Sequence, residues 1–244
     1  MKKETSHLPR FDGKRVVVTG AGRMGQLGEA VAREFGQLGA AVALIDRDES
    51  VASALAVVLK AEGLDVTAFG CDLTDAVATS SVAARIAAAS SGQVHALANL
   101  AGGFAMSGPL AESDPSVFSR QLEINLGSAY GATRGFLPFV RATRGVLVFM
   151  AAAAVLPGGK TAGMSGYAAS KAGVLALMRA VAQEERTSGV RANAVAPSAI
   201  RTSANMESMG DNISYVERES VAGVIAFLCS PLAMNISGQV IELA

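Results

Sequence analysis

Tyr167-Ala168-Ala169-Ser170-Lys171 sets a phenol and an amine four residues apart, one helical turn, where side chains share a face. A free tyrosine titrates near ~10, and an adjacent ammonium favours its phenolate, so the pair can bring the phenol toward proton exchange at neutral pH. Proton transfer to an alkoxide forming beside a hydride donor needs such a group. An exposed pair at this spacing is also common by chance and is worth only ~0.2–0.5 kcal/mol. The spacing therefore acquires meaning only from what surrounds it.

What surrounds it is a set of residues suited to a dinucleotide. Val16 to Thr19 runs through Gly20, Gly22, Gly25 and Gly28 into Glu29-Ala-Val-Ala: a buried strand, a glycine-rich turn and an amphipathic helix. Backbone amides at a helix N-terminus can meet a pyrophosphate there, although a bare GxGxxG is also met in turns that bind nothing. One strand later, Leu44-Ile45-Asp46-Arg47 places an acid where it can accept hydrogen bonds from both adenosine ribose hydroxyls. Asp46 repels a 2′-phosphate and favours NAD. Arg23 and Arg47 could instead clamp that phosphate, which leaves NADP open.

Bulk properties narrow the field further. The 244 residues are 50% hydrophobic, enough for a large two-faced core. Lys plus Arg and Asp plus Glu balance at 21 each, so no basic field marks a nucleic-acid partner. The N-terminus is charged and lacks the apolar stretch of a secretion signal, and the longest uncharged apolar run, 145–156, falls short of the ~20 residues of a membrane helix. A cytoplasmic protein with a small-molecule partner or a copy of itself is expected, with no membrane and no nucleic acid. Cys71 and Cys229 lack CxxC spacing and read as core thiols. His7 and His95 are the only histidines, which argues against a His-based triad or a metal site.

Short apolar runs alternate with helix-period segments from Lys14 almost to the end. This predicts an α/β fold: one doubly wound, Rossmann-type parallel sheet of about seven strands with helices on both faces. Strands are expected at 15–19, 41–45, 65–70, 95–100, 145–150, 190–195 and 238–243. Helices are expected at 29–38, 50–62, 75–90, 115–141, 165–187 and 216–229, with Pro138 ending or kinking the fourth. Residues 1–10 read as a flexible N-terminal segment and 11–244 as one domain. The substrate site must then be built from loops at the carboxyl ends of the strands, with 198–214 as a candidate mobile flap.

Thr19-Gly20, Asp46, Asn99-Leu-Ala-Gly102, Asn125, Tyr167-x-x-x-Lys171 and Asn193-Ala-Val-Ala-Pro197 occur in this order. With them the chain resembles the short-chain dehydrogenase/reductase family from Phe11 to the end. The pattern is nearest to β-ketoacyl-carrier-protein reductase-like and sugar or polyol dehydrogenase-like members. The resemblance implies an NAD(P)-dependent oxidoreductase that interconverts a secondary alcohol and a ketone. In its terms Tyr167 is the general acid/base, Lys171 holds the nicotinamide ribose, and Asn125 anchors a water in the proton relay. Asp72 and Leu73 would meet the adenine ring, Asn99, Gly102 and Pro197 would pass the cofactor, and Thr202 would meet the nicotinamide amide. It also implies a dimer or tetramer, for which the Ala- and Gly-rich helix 168–182 offers a face.

Four departures stand out. The glycine loop is two residues longer than the family's, with Gly28 eight positions after Gly20, so either Gly25 or Gly28 could abut the pyrophosphate. Leu100 replaces a polar residue. Ser198 follows Pro197 where glycine is usual, and the family's terminal double glycine is missing. The family's catalytic serine falls at Ala152 or Ala154, within Ala151–Ala154, and neither position has a hydroxyl. Losing one donor to a developing oxyanion can cost on the order of 10²–10³ in rate. Ser165 or Thr161 could replace it. A cofactor-binding protein with little turnover, acting as a structural or regulatory subunit, is the alternative.

Overall fold

A computed structural model describes residues 9–244. His7 and most of the N-terminal segment 1–10 lie outside the described residues. Among the described residues nine strands and eight α-helices follow one another. The first half comprises β1 (Arg15–Thr19), α1 (Leu27–Gln37), β2 (Ala41–Asp46), α2 (Glu49–Ala61), β3 (Val66–Gly70), α3 (Ala76–Ala88) and β4 (Ala96–Asn99). Then come α4 (Pro115–Gln121), α5 (Ser128–Arg141), β5 (Val146–Met150), α6 (Ser165–Glu184) and β6 (Arg191–Pro197). The chain closes with β7 (Ile200–Arg201), α7 (Ser203–Met209), β8 (Val216–Glu217), α8 (Arg218–Cys229) and β9 (Val240–Leu243).

Seven strands form one sheet in the order β3-β2-β1-β4-β5-β6-β9, every pair parallel. Both faces are covered, which is why the strands read as unbroken apolar runs. Val16 and Val18 face one core with Leu55, Leu59 and Ile225 of α2 and α8. Val17 faces the other with Ile86, Phe136 and Met178 of α3, α5 and α6. Strand order reverses between β1 and β4, and a crevice opens there at the carboxyl ends of the strands.

Local chemistry sets the helix starts. Asp48, Asp75 and Asp114 cap α2, α3 and α4 by accepting from backbone amides one or two residues inside each helix. The expected helix 115–141 is helical throughout, but between α4 and α5 Leu122–Gly127 is wound as a π-helix. Pro138 does not end α5, which continues to Arg141. The segment 198–214, expected as a mobile flap, contains β7 and α7, and β8 follows it. Thr202 caps α7 by accepting from Asn205 N, β7 pairs with β8, and Arg201 reaches Glu217 at 2.7 Å.

Candidate active site

Tyr167 and Lys171 lie in the first two turns of α6, with Lys171 buried. Its Nζ donates to the Met150 carbonyl oxygen at 3.0 Å and stands 5.8 Å from the centre of the Tyr167 ring. The Phe104 ring meets Tyr167 edge to face, centroids 4.9 Å apart at 87°. Burial decides the protonation of the pair. It pushes the Tyr167 phenol up to about 12 and pulls the Lys171 ammonium down to about 8. Burial thus works against the acidified phenol expected from the sequence, while the ammonium over the ring donates to Met150. At neutral pH the structure presents a protonated phenol, a proton donor, over a charged lysine.

Asn125 sits in the π-helical stretch, whose wider i→i+5 turn shifts the register relative to an α-helix, and its amide meets the loop after β4. Its Oδ1 accepts from Gly103 N at 3.1 Å, and its Nδ2 donates to Gly103 O at 3.0 Å and Gln121 O at 3.1 Å. This two-way clip fixes the path of Gly102 and Gly103 past Lys171. A Cβ on Gly102 would run into Asn125 Oδ1. Thr19 holds the same loop from the other side, its Oγ1 accepting from Leu100 N and Ala101 N. Asn99 is buried and donates to Thr133 at 3.3 Å.

The glycine loop resolves by contact. Gly28 opens α1 against the end of β1, where a Cβ would lie 2.6 Å from Ala21 Cα. Gly22 passes the Asp46 carboxylate so closely that a Cβ would lie 2.6 Å from its Oδ2. Gly25, with φ +73°, turns the two extra residues of the loop outward and accepts at its carbonyl from Ser203 N of α7 at 3.0 Å. Gln26 makes no side-chain cap, unlike the residues before α2, α3, α4 and α7, so the first amides of α1 face the crevice without a side-chain acceptor.

Three adjoining cavities run along the crevice. The first, about 220 Å³, is bounded by Arg47, Asp72 and Leu73. It shares Gly20, Asp46 and Gly102 with the second, about 460 Å³, which reaches Arg23, Gly28, Lys171 and Thr202. The third, about 560 Å³, is walled by Ala152, Ala154, Met164, Pro197 and Met209. Tyr167, Phe104 and Asn205 belong to both the second and the third. Pro197 thus faces the third cavity rather than the second. Ser165 and Thr161 face neither; the Ser165 hydroxyl lies 3.4 Å from that of Ser107. Ser198 does line the third cavity.

Sequence reasoning passed over three residues. Phe104 and Asn205 carry no motif. Glu29, buried in the first turn of α1, accepts from Gly25 N at 2.6 Å and pairs with Arg33 and Arg218, each at 2.9 Å. Burial pushes its carboxyl up, but Arg33, the Gly25 amide and Arg218 together leave it below the usual range. Its signal was an acid inside an otherwise apolar helix face.

The short chain dehydrogenase family pattern matches residues 14–212. The chain belongs to that family. It is 35% identical over 257 residues, 99% of this chain and 96% of the other, to the (5R,7aS)-5-hydroxy-7a-methyl-1-oxo-2,3,5,6,7,7a-hexahydro-1H-indene-carboxyl-CoA reductase of Mycobacterium tuberculosis. It is 32% identical to meso-2,3-butanediol dehydrogenase of Serratia marcescens, over 94% of this chain and 92% of that one. A short chain dehydrogenase structure from Mycobacterium smegmatis superposes with a TM-score of 0.83 at 32% identity, covering 96% of this chain and 92% of that one.

Members of this family use NAD(P), and the crevice suits such a group: uncapped amides at α1, glycine approaches that a Cβ would block, and Asp46 at the end of β2. Among the described residues no cluster of three or more His, Cys, Asp or Glu could hold a metal, and no helix is long and apolar enough to cross a membrane.

Proposed function

We propose that this short chain dehydrogenase interconverts a secondary alcohol and a ketone, with NAD preferred over NADP. The observation that carries the reading is the position of the Tyr167 phenol, at the junction of the glycine-lined cavity and the apolar one. The nicotinamide supplies or takes the hydride. The chain's own residues do the rest. Tyr167 gives its proton to the carbonyl oxygen in reduction and takes it back in oxidation, while the Lys171 charge holds the nicotinamide ribose and favours the phenolate left behind. Asn125 fixes the loop that borders them and, as the family resemblance implies, anchors the water that resupplies the proton.

Gly20, Gly22 and Gly28 would pass the pyrophosphate at the start of α1, with Gly25 bracing the longer loop. Asp46 would take the adenosine ribose, which favours NAD because its charge repels a 2′-phosphate; the exposed Arg23 and Arg47 are what NADP would use. Asp72 and Leu73 would flank the adenine, and Thr202 would meet the nicotinamide amide. The walls of the third cavity suit a substrate that is apolar around its carbonyl. The outer face of α6, exposed at Ala169, Ala172, Ala176 and Ala180, suits close packing against a second copy, supporting a dimer or tetramer. Two unpaired buried thiols fit a reducing, cytoplasmic setting.

The alanines after β5 favour a second reading, a cofactor-binding protein with little turnover. Steady-state NADH oxidation with cyclohexanone, decalone and diacetyl separates the two. Turnover in the wild type that is lost in Tyr167→Phe, with NADH binding kept, supports the enzyme. Tight NADH binding without turnover in either protein supports the second reading.

A further inference from the structure

The third cavity lacks a hydroxyl where its wall approaches Tyr167 from β5, because Ala152, Ala153 and Ala154 form that wall. A ketone oxygen that gains negative charge during reduction needs more than one donor. The polar side chains bordering this cavity are those of Lys160, Tyr167, Ser198, Asn205 and Glu242. Only Tyr167 and Asn205 of these also border the cavity that contains Lys171 and Gly28. The carbonyl must sit where the two cavities meet, since its carbon faces the nicotinamide and its oxygen faces Tyr167.

Asn205 is also held as a donor should be. It lies in the first turn of α7, where its backbone amide is fixed by Thr202 Oγ1 at 3.2 Å. Its Nδ2 gives one hydrogen to Ile200 O at 2.8 Å, and its own carbonyl accepts from the Tyr215 hydroxyl at 3.3 Å. The second hydrogen of Nδ2 has no partner among the described residues. The bond to Ile200 holds the amide at the border of both cavities and leaves that hydrogen available to donate.

We infer that the Asn205 side-chain amide is the second hydrogen-bond donor to the substrate carbonyl, in place of the missing serine. This rests on the oxidoreductase reading above. In reduction, hydride adds to the carbonyl carbon, the carbonyl π-bond pair moves to oxygen, Tyr167 delivers the proton, and Asn205 donates to the same oxygen without losing its hydrogen. Asn205 is then a catalytic residue in an element that sequence alone reads as a flap.

The test compares wild type, Tyr167→Phe, Asn205→Ala, Asn205→Ser and the double variant Asn205→Ala/Ala154→Ser in NADH-dependent reduction of the same three ketones, with NADH affinity from its fluorescence. Asn205→Ala should lower kcat on the order of 10²-fold with NADH affinity unchanged. The hydroxyl of Asn205→Ser, or the serine placed on the opposite wall at position 154, should each recover about tenfold or more of that loss, which a packing role could not explain. Asn205→Ala within about threefold of wild type overturns the inference and leaves the oxidoreductase reading standing. A loss that comes with weakened NADH binding, or that neither hydroxyl recovers, assigns Asn205 to the folding of α7 and also overturns it. A wild type that binds NADH but reduces none of the ketones overturns the oxidoreductase reading and the inference with it.

Discussion

Lys171 Nζ donates to the carbonyl oxygen of Met150 at 3.0 Å, so a buried ammonium is tied to the last residue of β5, 5.8 Å from the centre of the Tyr167 ring. Burial lowers Lys171 from an ordinary 10.5 to about 8. Between those values the unfolded chain carries a proton that the folded protein lacks, so this group makes stability rise with pH across that window; below about pH 8 the whole cost of burying the charge is present. Tyr167, raised to about 12, acts the other way and makes stability fall as pH climbs past 10. Lys171→Met should therefore stabilise the protein at pH 7 by roughly 1–3 kcal/mol in urea unfolding, after the lost hydrogen bond is set against the removed charge. The gain should shrink toward pH 10, and activity should vanish. A less stable methionine variant at pH 7 would show that the ammonium is not the burden its burial implies.

Activity should follow the same groups. In the free protein Lys171 loses its charge through about pH 8, so kcat/KM for NADH in ketone reduction should fall above that value. A profile that is flat to pH 9.5 would contradict a role for the Lys171 charge in holding the cofactor.

Glu29 braces the lengthened glycine loop through Gly25 N at 2.6 Å while Arg218 anchors it to α8. Glu29→Gln keeps the shape but removes the charge from both contacts. NADH affinity should weaken by about fivefold to thirtyfold, the equivalent of ~1–2 kcal/mol, with kcat at saturating NADH little changed. An unaltered affinity, measured by calorimetry, would show that the loop holds its shape without the acid.

Asp46 should set cofactor choice. In Asp46→Ser the NADH affinity should drop on the order of tenfold to a hundredfold, as for a lost charged hydrogen bond, and NADPH should become the better ligand because Arg23 and Arg47 are retained. NADH preferred by the variant as strongly as by the wild type would remove Asp46 from the ribose site.

Burial pushes the Cys229 thiol up to about 12, despite Arg191 and Lys14 nearby, and raises Cys71 as well. Neither should react with iodoacetamide at pH 7.5 in the folded protein, and both should react in urea. Rapid native labelling, read by mass spectrometry, would contradict the packing around them.

The sheet was legible because buried parallel strands are continuous apolar runs; β1, for example, runs Arg15–Thr19 as its sequence suggests. Tyr167, Lys171 and Asp46 were legible because their residue types and spacing are chemically restrictive. Asn125 was placed, but its contacts were not, since they depend on a π-helical register that no side-chain periodicity announces. α7 was hidden because its seven residues are too few to show a helical period and its start depends on one Thr202 cap. Asn205 of α7 and Phe104 of the loop after β4 come to the cavity at Tyr167 from distant parts of the chain, and that proximity is written in no local pattern.

Hydride transfer at Tyr167 is tested most directly in a single turnover. Protein loaded with NADH carrying deuterium at both C4 positions is mixed with a ketone that it reduces, and the product alcohol is examined for deuterium on its carbinol carbon. The wild type should deliver the label and Tyr167→Phe, equally loaded with cofactor, should not. No label in the wild type, or equal label in both proteins, would contradict a tyrosine-dependent oxidoreductase.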